Sequence, residues 1–342
     1  YCIILFTGEK METKILKPNK ETFMLASELI NQGEVVAFPT ETVYGLGADA
    51  TNAVAVEKIF IAKGRPNDNP LIVHLANKED IEKYVLMLSD LERDIINVFM
   101  PGPISLVLKK KDNIPSVVTA GGDTVAIRIP ENEVARNFIR FCRKPICAPS
   151  ANTSKRPSPT IAMHVYDDMK GKIPLIIDGG QTTVGIESTV VKVVNNEVYI
   201  LRPGKISKET LQNKLNCIVH EKVISTSTVV ESPGTKYTHY KPNCDMILVK
   251  NNIIDNVKQL YLENINKGKK VIIFCKQADF NYYSGMNVVC LGVDSDEASH
   301  NLFKFLREYE KNDLIIAEYF DNGSMVEGLF NRMSKSCSGN II

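Results

Sequence analysis

The sequence predicts an α/β protein in which a twisted mixed sheet forms a first domain and a small Rossmann-like parallel sheet forms a second. Its 342 residues exceed the usual size of one domain and suggest two. Short apolar strands and amphipathic helices are interleaved up to about residue 202. From Met246 onward, strands and helices alternate regularly, which is typical of a parallel sheet. We expect the domains to span 12–220 and 245–342, with a linker over 221–244.

Helices of the first domain are marked by their caps. An amphipathic apolar face predicts a helix over 20–32. Asn52 is placed to cap a second helix that Gly64 ends, and Ser89 with Glu92 forms a capping box for a third. The other predicted elements are a helix at 132–142 and strands at 35–38, 71–73, 104–109, 124–129, 145–148, 175–177, 189–194 and 198–201, the last two joined as a hairpin by Asn195-Asn196.

The second domain follows a stretch of different composition. A short helix at about 207–215 precedes a Ser/Thr/Pro/Gly-rich segment at 225–234, which favours a linker. The elements predicted beyond it are strands at 246–249, 270–275, 287–291 and 314–319, and helices at 252–267, 295–311 and 325–336.

Composition excludes several classes of protein. The net charge of +1 argues against a dedicated nucleic-acid binder, and no apolar run reaches transmembrane length. The apolar start, Tyr1 to Phe6, lacks the basic region and cleavage site of a signal peptide, and Met11 is a candidate for the native start. The eight cysteines have no C-x-x-C spacing, which argues against zinc and disulfides and for reduced thiols in the cytoplasm. Which residues would bind a metal ion stays open at this point.

The segment 63–74 carries the strongest chemical signal. Lys63 and Arg65 precede a loop that Pro66 and Pro70 stiffen by fixing φ. A Lys/Arg pair on a rigid loop is suited to polyphosphate oxygens, since Arg offers a bidentate fork. The alternative is a basic surface turn after a helix.

Polar side chains follow the first strand at 38–47. Thr40, Glu41 and Thr42 are expected at the mouth of the sheet, where α/β proteins bind ligands, or else in turn and cap hydrogen bonds. The segment 45–50 matches G-x-G-x-x-A, but it lies seven residues beyond the strand. We therefore reject a dinucleotide site, which needs the turn directly after the strand.

Two further segments carry cations. Arg128 interrupts an apolar strand, so it either is buried with a partner or ligand, or lies on a solvent-facing side. The segment 148–160 is rich in hydroxyl groups and includes Lys155 and Arg156. Such a loop either cradles phosphate or is an ordinary surface loop. The segments around Ser188 and Arg202 are not specific by themselves.

Together these segments resemble the threonylcarbamoyl-AMP synthase family, in the long form that joins a YrdC-type catalytic domain to a C-terminal domain. The matching blocks are FPTETVYGLG at 38–47, KGRPNDNPLIVH at 63–74, PGPIS at 101–105, AGGDTVAIRIP at 120–130, APSAN at 148–152, IESTVV at 186–191, LRPG at 201–204 and the linker SPGTKYTHYKP at 232–242.

The resemblance implies an enzyme that forms threonylcarbamoyl-AMP and pyrophosphate from L-threonine, bicarbonate and ATP, with Mg²⁺, for threonylcarbamoyladenosine in tRNA. It places L-threonine against Thr40, His74, Arg128, Ala148 and Ser188. It places ATP against Arg65, Asn69, Thr124, Ser150, Asn152, Ser158, Arg202, Tyr237, His239 and Tyr240. Lys63 and Arg65 would neutralise the leaving pyrophosphate, and the linker would act as a lid.

The chain departs from the family pattern at Met100, where Trp is usual, and at Lys192, where an acidic residue is common. The implied partner is the tRNA threonylcarbamoyl-transfer machinery; direct tRNA contact stays open, and no membrane is involved. Two alternatives remain, a carbamoyl-transfer protein and a YrdC-type RNA-binding module. The near-neutral charge and the lack of an RNP-type motif disfavour the second.

Overall fold

A computed structural model describes residues 11–221 and 239–342 of the chain. It confirms the predicted α/β class, with an 11-stranded mixed sheet followed by a four-stranded parallel sheet. Within these residues, no helix has the length and apolar character needed to cross a membrane.

The large sheet contains strands from the first 220 residues. In chain order they are β1 Lys14–Leu16, β2 Val36–Phe38, β3 Gly45–Asp49, β4 Ile72–His74, β5 Ile104–Lys109, β6 Thr124–Arg128, β7 Ile146–Ala148, β8 Leu175–Ile177, β9 Thr189–Val194, β10 Glu197–Arg202 and β11 Val219–His220. They lie side by side in the order β1-β8-β2-β3-β7-β4-β6-β5-β9-β10-β11. The accompanying helices are α1 Lys20–Asn31, α2 Ala53–Lys63, α3 Asp90–Phe99, α4 Glu133–Cys142, α5 Ala162–Met169 and α6 Lys208–Leu215, with a 3₁₀ helix at Lys78–Lys83.

Local capping chemistry forms these helices as predicted. The side chain of Asn52 accepts hydrogen bonds from the backbone N–H groups of Val54 and Ala55 at 3.1 and 3.2 Å. Gly64 ends the same helix in the left-handed region at φ 60°. Both hydrogen bonds of the Ser89–Glu92 capping box are present.

Strand β3 was not predicted, and neither were β1, β11 and α5. The Gly-Leu-Gly-Ala-Asp segment of β3 has low strand propensity, but its glycines permit close packing. A Cβ on Gly47 would lie 2.7 Å from Cγ2 of Ile146 and 2.9 Å from the ring of Phe38. The segment that matches G-x-G-x-x-A therefore begins in a closely packed strand and not in the turn between a strand and a helix.

The small sheet contains β12 Asp245–Val249, β13 Val271–Lys276, β14 Val288–Gly292 and β15 Leu314–Glu318, in the order β12-β15-β13-β14. Its helices are α7 Ile253–Ile265, α8 Ser295–Glu308 and α9 Val326–Ser336, with a 3₁₀ helix at Gln277–Tyr283. All three of its strand pairings are parallel. The predicted Rossmann-like pattern is therefore confirmed.

The second domain packs directly against the first. Val43 and Ile186 of the first domain join the apolar core formed by α8, α9 and the small sheet. Tyr240 stacks on Phe303 of α8 with the ring centroids 5.0 Å apart. A Cβ on Gly185 would lie only 2.3 Å from the Ser299 carbonyl oxygen, so the backbones approach too closely for any side chain there. This contact places helices of the second domain beside the cleft described next.

Candidate active site

A cleft opens beside strands β4, β6 and β7 of the large sheet. Its volume, including the part open to solvent, is about 760 Å³. The loops after α2 and after β7 form two of its walls, and His239 and Tyr240 contribute from the chain just before the small sheet.

Arg128 and His74 lie side by side at the ends of two paired strands. His74 is the register partner of Arg128 because β4 and β6 are parallel. Arg128 is only 3% exposed, and its Nη2 lies 2.7 Å from Oε1 of the equally buried Glu41. The alternative of a solvent-facing Arg128 is therefore wrong. Its Nε makes no hydrogen bond within the described structure, so this donor remains for a ligand in the cleft.

The imidazole of His74 is neutral at physiological pH. Burial, and then the neighbouring Arg128 guanidinium, lower the pKa of His74 to about 3. Its Nδ1 lies 3.2 Å from the Ile72 carbonyl oxygen. The ring of Phe38 packs edge-on against it at 5.8 Å. His74 therefore presents a fixed, uncharged polar group beside a cation.

Lys63, the last residue of α2, is almost fully buried. Its Nζ donates to the carbonyl oxygens of Ser150 and Asn152, the latter at 2.6 Å, and lies 3.4 Å from Oδ1 of Asn152. Burial and the Arg65 guanidinium hold the pKa of Lys63 well below its usual value. Lys63 thus fastens the end of α2 to the loop after β7 and adds positive potential behind it.

Arg65 follows on the stiff loop. Its Nη2 donates to the carbonyl oxygen of Asn69 at 2.9 Å, and its guanidinium lies 6.0 Å from the ring centroid of Phe60. The amide of Asn69 is 1% exposed, and within the described structure neither its Oδ1 nor its Nδ2 has a hydrogen-bond partner. Burying an amide without hydrogen-bond partners costs free energy unless a ligand supplies those hydrogen bonds.

The loop after β7 is held by its own side chains. The Ser150 hydroxyl donates to Oδ1 of Asn152 at 2.5 Å, and Nδ2 of Asn152 donates to the Arg156 carbonyl oxygen at 2.9 Å. The Ser158 hydroxyl donates to Oε1 of Glu187 at 2.5 Å. These contacts turn the hydroxyl-rich segment into a fixed wall of the cleft, so the alternative of an ordinary surface loop is wrong.

The cleft is electropositive. Burial, followed by Lys335 and Arg65, lowers the pKa of His239 to about 4. Burial, followed by Arg332, lowers the pKa of Arg202 to about 10. In both cases, as for Lys63, neighbouring cations disfavour a further positive charge. An anionic ligand would relieve this repulsion.

Most predicted site residues meet in this cleft. Those that line it are Thr40, Lys63, Arg65, His74, Arg128, Ala148, Ser150, Asn152, Ser158, Arg202, His239 and Tyr240. Thr40 also serves the turn, because its hydroxyl donates to the Val43 carbonyl oxygen at 2.6 Å. Asn69 lies directly beside Arg65. Tyr237 lies outside the described residues, as does most of the predicted lid.

Three predicted residues are absent from the lining: Asn69, which lies beside Arg65, and Ser188 and Thr124, which lie farther away. Ser188 is fully buried behind Arg202, which donates to its carbonyl oxygen at 2.9 Å and to its hydroxyl at 3.2 Å. Thr124 starts β6, at the opposite end from Arg128, and lines a separate cleft together with Lys109 and Lys192. In this structure neither of the latter two side chains borders the cleft.

Sequence reasoning missed several residues that do. Glu187 lines the cleft but had no predicted role. Thr42 and Arg156 also line it, as expected from their segments, although neither was assigned to a particular ligand. Two arginines of the second domain also reach its walls. Arg307 of α8 donates to the Pro157 carbonyl oxygen at 2.6 Å, and Arg332 of α9 donates to Oε2 of Glu187 at 2.9 Å. Both lie among apolar residues of their helices, the same signal that drew attention to Arg128.

Comparison with known protein families matches almost the whole chain. Residues 28–204 match the family described as "Telomere recombination", and residues 206–338 match "Threonylcarbamoyl-AMP synthase, C-terminal domain". The chain is 40% identical to the threonylcarbamoyl-AMP synthase of Pyrococcus abyssi over 325 residues, which cover 93% of this chain and 94% of the relative. It is 39% identical to that of Bacillus subtilis over 336 residues, with 96% and 97% covered.

A solved structure shares the whole fold. The crystal structure of P. abyssi Sua5 complexed with L-threonine superposes with a TM-score of 0.89 at 37% sequence identity, covering 97% of this chain and 98% of that one. A variant of P. abyssi Sua5, in which a histidine and a tyrosine are replaced by alanine, gives a TM-score of 0.88 at 36% identity, with the same coverage. The chain therefore belongs to the threonylcarbamoyl-AMP synthase family, in the form that carries the C-terminal domain.

Proposed function

We propose that this protein forms threonylcarbamoyl-AMP and pyrophosphate from L-threonine, bicarbonate and ATP. The observation that carries the proposal is the electropositive cleft. It combines a buried arginine and neutral histidine at one pair of strand ends with cations and hydroxyls on two rigid loops. Family membership and relatives that bear the name of this enzyme support the same reaction.

The amino acid binds at Arg128 and His74 in this proposal. Arg128 pairs with the threonine carboxylate through its Nε, while its Nη2 faces Glu41. The low dielectric of the site strengthens this ion pair. The apolar lining residues Leu71, Ile72 and Ala148 suit the threonine methyl group. Since His74 is uncharged, it adds a polar contact without repelling the amino group.

ATP binds along the two loops. The phosphates face Arg65 and the loop that carries Ser150 and Ser158, whose hydroxyl protons Asn152 and Glu187 accept in this structure. The potential of buried Lys63 supports the phosphates from behind. The amine of threonine condenses with bicarbonate to a carbamate with loss of water, and a carbamate oxygen then attacks the α-phosphorus of ATP while pyrophosphate leaves. No protein nucleophile is needed, so the residues accelerate the reaction by aligning the reactants and stabilising developing negative charge.

Mg²⁺ enters as part of the MgATP substrate in this proposal. Across residues 11–221 and 239–342, no group of three or more His, Cys, Asp or Glu side chains could hold a metal ion. Both carboxylate oxygens of Glu187, in the cleft wall, are already bonded to Ser158 and Arg332. These residues do not fit a resident metal, whereas ATP phosphates provide the oxygen ligands that Mg²⁺ prefers.

The product would pass to the machinery that transfers threonylcarbamoyl to tRNA, and direct contact with tRNA is not required for the chemistry. We place the reaction in the cytoplasm as part of the same proposal. All seven cysteines in the described part of the chain are free thiols, which favours a reducing compartment.

A pyrophosphate-release assay tests the function. Purified protein should release pyrophosphate only when MgATP, bicarbonate and L-threonine are all present, and mass spectrometry should detect threonylcarbamoyl-AMP. Omission of each substrate in turn is the control. Pyrophosphate release that does not depend on threonine or bicarbonate would contradict the proposal.

A further inference from the structure

Arg332 is the most deeply buried charged side chain that the second domain contributes near the cleft. It lies on α9, is 0% exposed, and belongs to the helix face that carries Leu329 and Met333. A buried guanidinium is stable only when partners satisfy it. Its partners outside α9 are Glu187 and Tyr240, which line the cleft, and Pro203, which follows the lining residue Arg202.

Three elements at the cleft meet on this guanidinium. Its Nε donates to Oε2 of Glu187 at 2.9 Å, and its Nη2 lies 3.2 Å from the Glu187 carbonyl oxygen. Its Nη1 donates to the Pro203 carbonyl oxygen at 2.8 Å, directly after Arg202. Its Cζ lies 5.7 Å from the ring centroid of Tyr240.

Glu187 transmits this contact into the cleft. Its other carboxylate oxygen accepts the hydroxyl proton of Ser158 at 2.5 Å. Burial alone would raise the pKa of Glu187, but Arg332, Arg202 and Ser158 together lower it to about 2. Without Arg332, the carboxylate would lose the hydrogen bond to its Oε2, and the acceptor of the Ser158 hydroxyl would no longer be fixed in place.

We propose that Arg332 of the C-terminal domain is a positioning residue for the nucleotide half of the active site, acting through Glu187 on Ser158 and through its contact with the ring of Tyr240. The assignment of this half of the cleft to ATP rests on the proposed function. The positioning role gives the second domain an indirect part in catalysis, because helix α9 supports the wall that holds the nucleotide from behind.

Lys205 offers a matched control for the domain contact itself. It bridges the same two domains through an ion pair with Asp296 at 2.6 Å, but the two side chains are 37% and 29% exposed and do not line the cleft. Exposed pairs of this kind contribute little to stability. Lys205→Ala should therefore keep kcat and both KM values within about twofold of wild type.

The test compares Arg332→Gln, Arg332→Lys and Glu187→Gln with the double variant Arg332→Gln/Glu187→Gln. Arg332→Gln should lower kcat/KM for ATP by at least about tenfold, because it leaves a buried carboxylate unpaired. KM for threonine should change by less than about threefold, since Arg128 and His74 do not contact Arg332. Arg332→Lys should recover part of the loss.

The double variant separates positioning from mere stability. If Arg332 acts through Glu187, adding Arg332→Gln to Glu187→Gln should cost less than about threefold, because coupled residues are not additive. A purely structural role would lower kcat/KM for ATP by the same factor in the wild-type and Glu187→Gln proteins. It would also lower the melting temperature and change the KM values for ATP and threonine alike. Either of those results, or an unchanged kcat/KM for ATP in Arg332→Gln, would overturn the proposal.

ATP affinity by calorimetry keeps this test independent of turnover. It should fall in Arg332→Gln and stay at the wild-type value in Lys205→Ala. If the wild-type protein binds ATP with this dependence on Arg332 but forms no threonylcarbamoyl-AMP, the proposed function fails and the positioning role stands. If threonylcarbamoyl-AMP forms normally in Arg332→Gln, the positioning role fails and the function stands.

Discussion

Replacing Arg128 by alanine should remove threonine binding while leaving ATP binding intact. The guanidinium is 3% exposed and lies 2.7 Å from Glu41, so any carboxylate that it meets is largely desolvated as well. Loss of one partner of a desolvated charge pair costs about 2–5 kcal/mol. That range corresponds to a roughly 30- to 5,000-fold weaker affinity for threonine.

The same substitution also destabilises the fold, and the two effects must be separated. Arg128→Ala leaves Glu41 buried without its cation, which costs about 3–5 kcal/mol in comparable cases. Arg128→Ala/Glu41→Gln removes both charges and should recover most of that stability. It should still bind threonine as poorly as the single variant, because the carboxylate partner is absent in both.

Calorimetric titration with threonine and with ATP is the assay. Arg65→Ala serves as the reciprocal variant, since it should impair ATP binding and spare threonine. Lys58→Ala serves as the control for an exposed ion pair, because Lys58 lies 2.6 Å from Glu34 and away from the cleft. If Arg128→Ala/Glu41→Gln is folded and binds threonine with wild-type affinity, Arg128 does not hold the carboxylate and the reasoning is refuted.

Three further outcomes are expected. Serine should give a kcat/KM about 10- to 200-fold below that of threonine, because an apolar methyl pocket contributes about 1–3 kcal/mol of discrimination. Equal turnover of the two amino acids would remove the threonine assignment. The pKa of His74 is about 3 in the fold, against an ordinary value of 6.5 for a solvated histidine. The unfolded chain therefore binds more protons between these values, and stability is lost as the pH falls through this window. Within this pH window, His74→Gln should reduce the slope of the unfolding free energy against pH by up to about 1.4 kcal/mol per pH unit. Denaturant titrations at several pH values measure this slope. An unchanged slope would show that His74 is not buried as a neutral group. Gly47→Ala should lower the free energy of unfolding by about 1–3 kcal/mol, since its Cβ would meet Ile146 at 2.7 Å; a stability equal to wild type in urea titration would contradict the close packing of β3.

Elements with strong local signals could be predicted from sequence. The helix between Asn52 and Gly64, the capping box at Ser89 and the Asn195-Asn196 hairpin all form as expected, because cap and turn chemistry act over a few residues. Strand β3 was missed since its stability comes from packing against Ile146 and Phe38, not from its own propensity.

The candidate site divides in a similar way. Lys63, Arg65 and Arg128 could be identified because charged residues at rigid loops or in apolar strands need a partner wherever the chain places them. Glu187 could not, since an acidic residue in a loop just before a strand has many ordinary uses. Its importance appears only when Ser158, 29 residues away in sequence, and Arg332, 145 residues away, bond to its two carboxylate oxygens.

The sequence by itself determined the α/β class, the two sheets, the family resemblance and the type of charge that each loop brings to the cleft. It did so because periodicity, caps and chemical groups are local properties of the chain. Only the tertiary structure decided which groups meet. It paired Arg128 with Glu41, turned the hydroxyl of Ser188 away from the cleft, and carried Arg332 from the second domain into contact with Glu187. Those contacts depend on how helices and strands pack over long separations, and a buried charge acquires its partner, its pKa and its role only when that packing removes it from water.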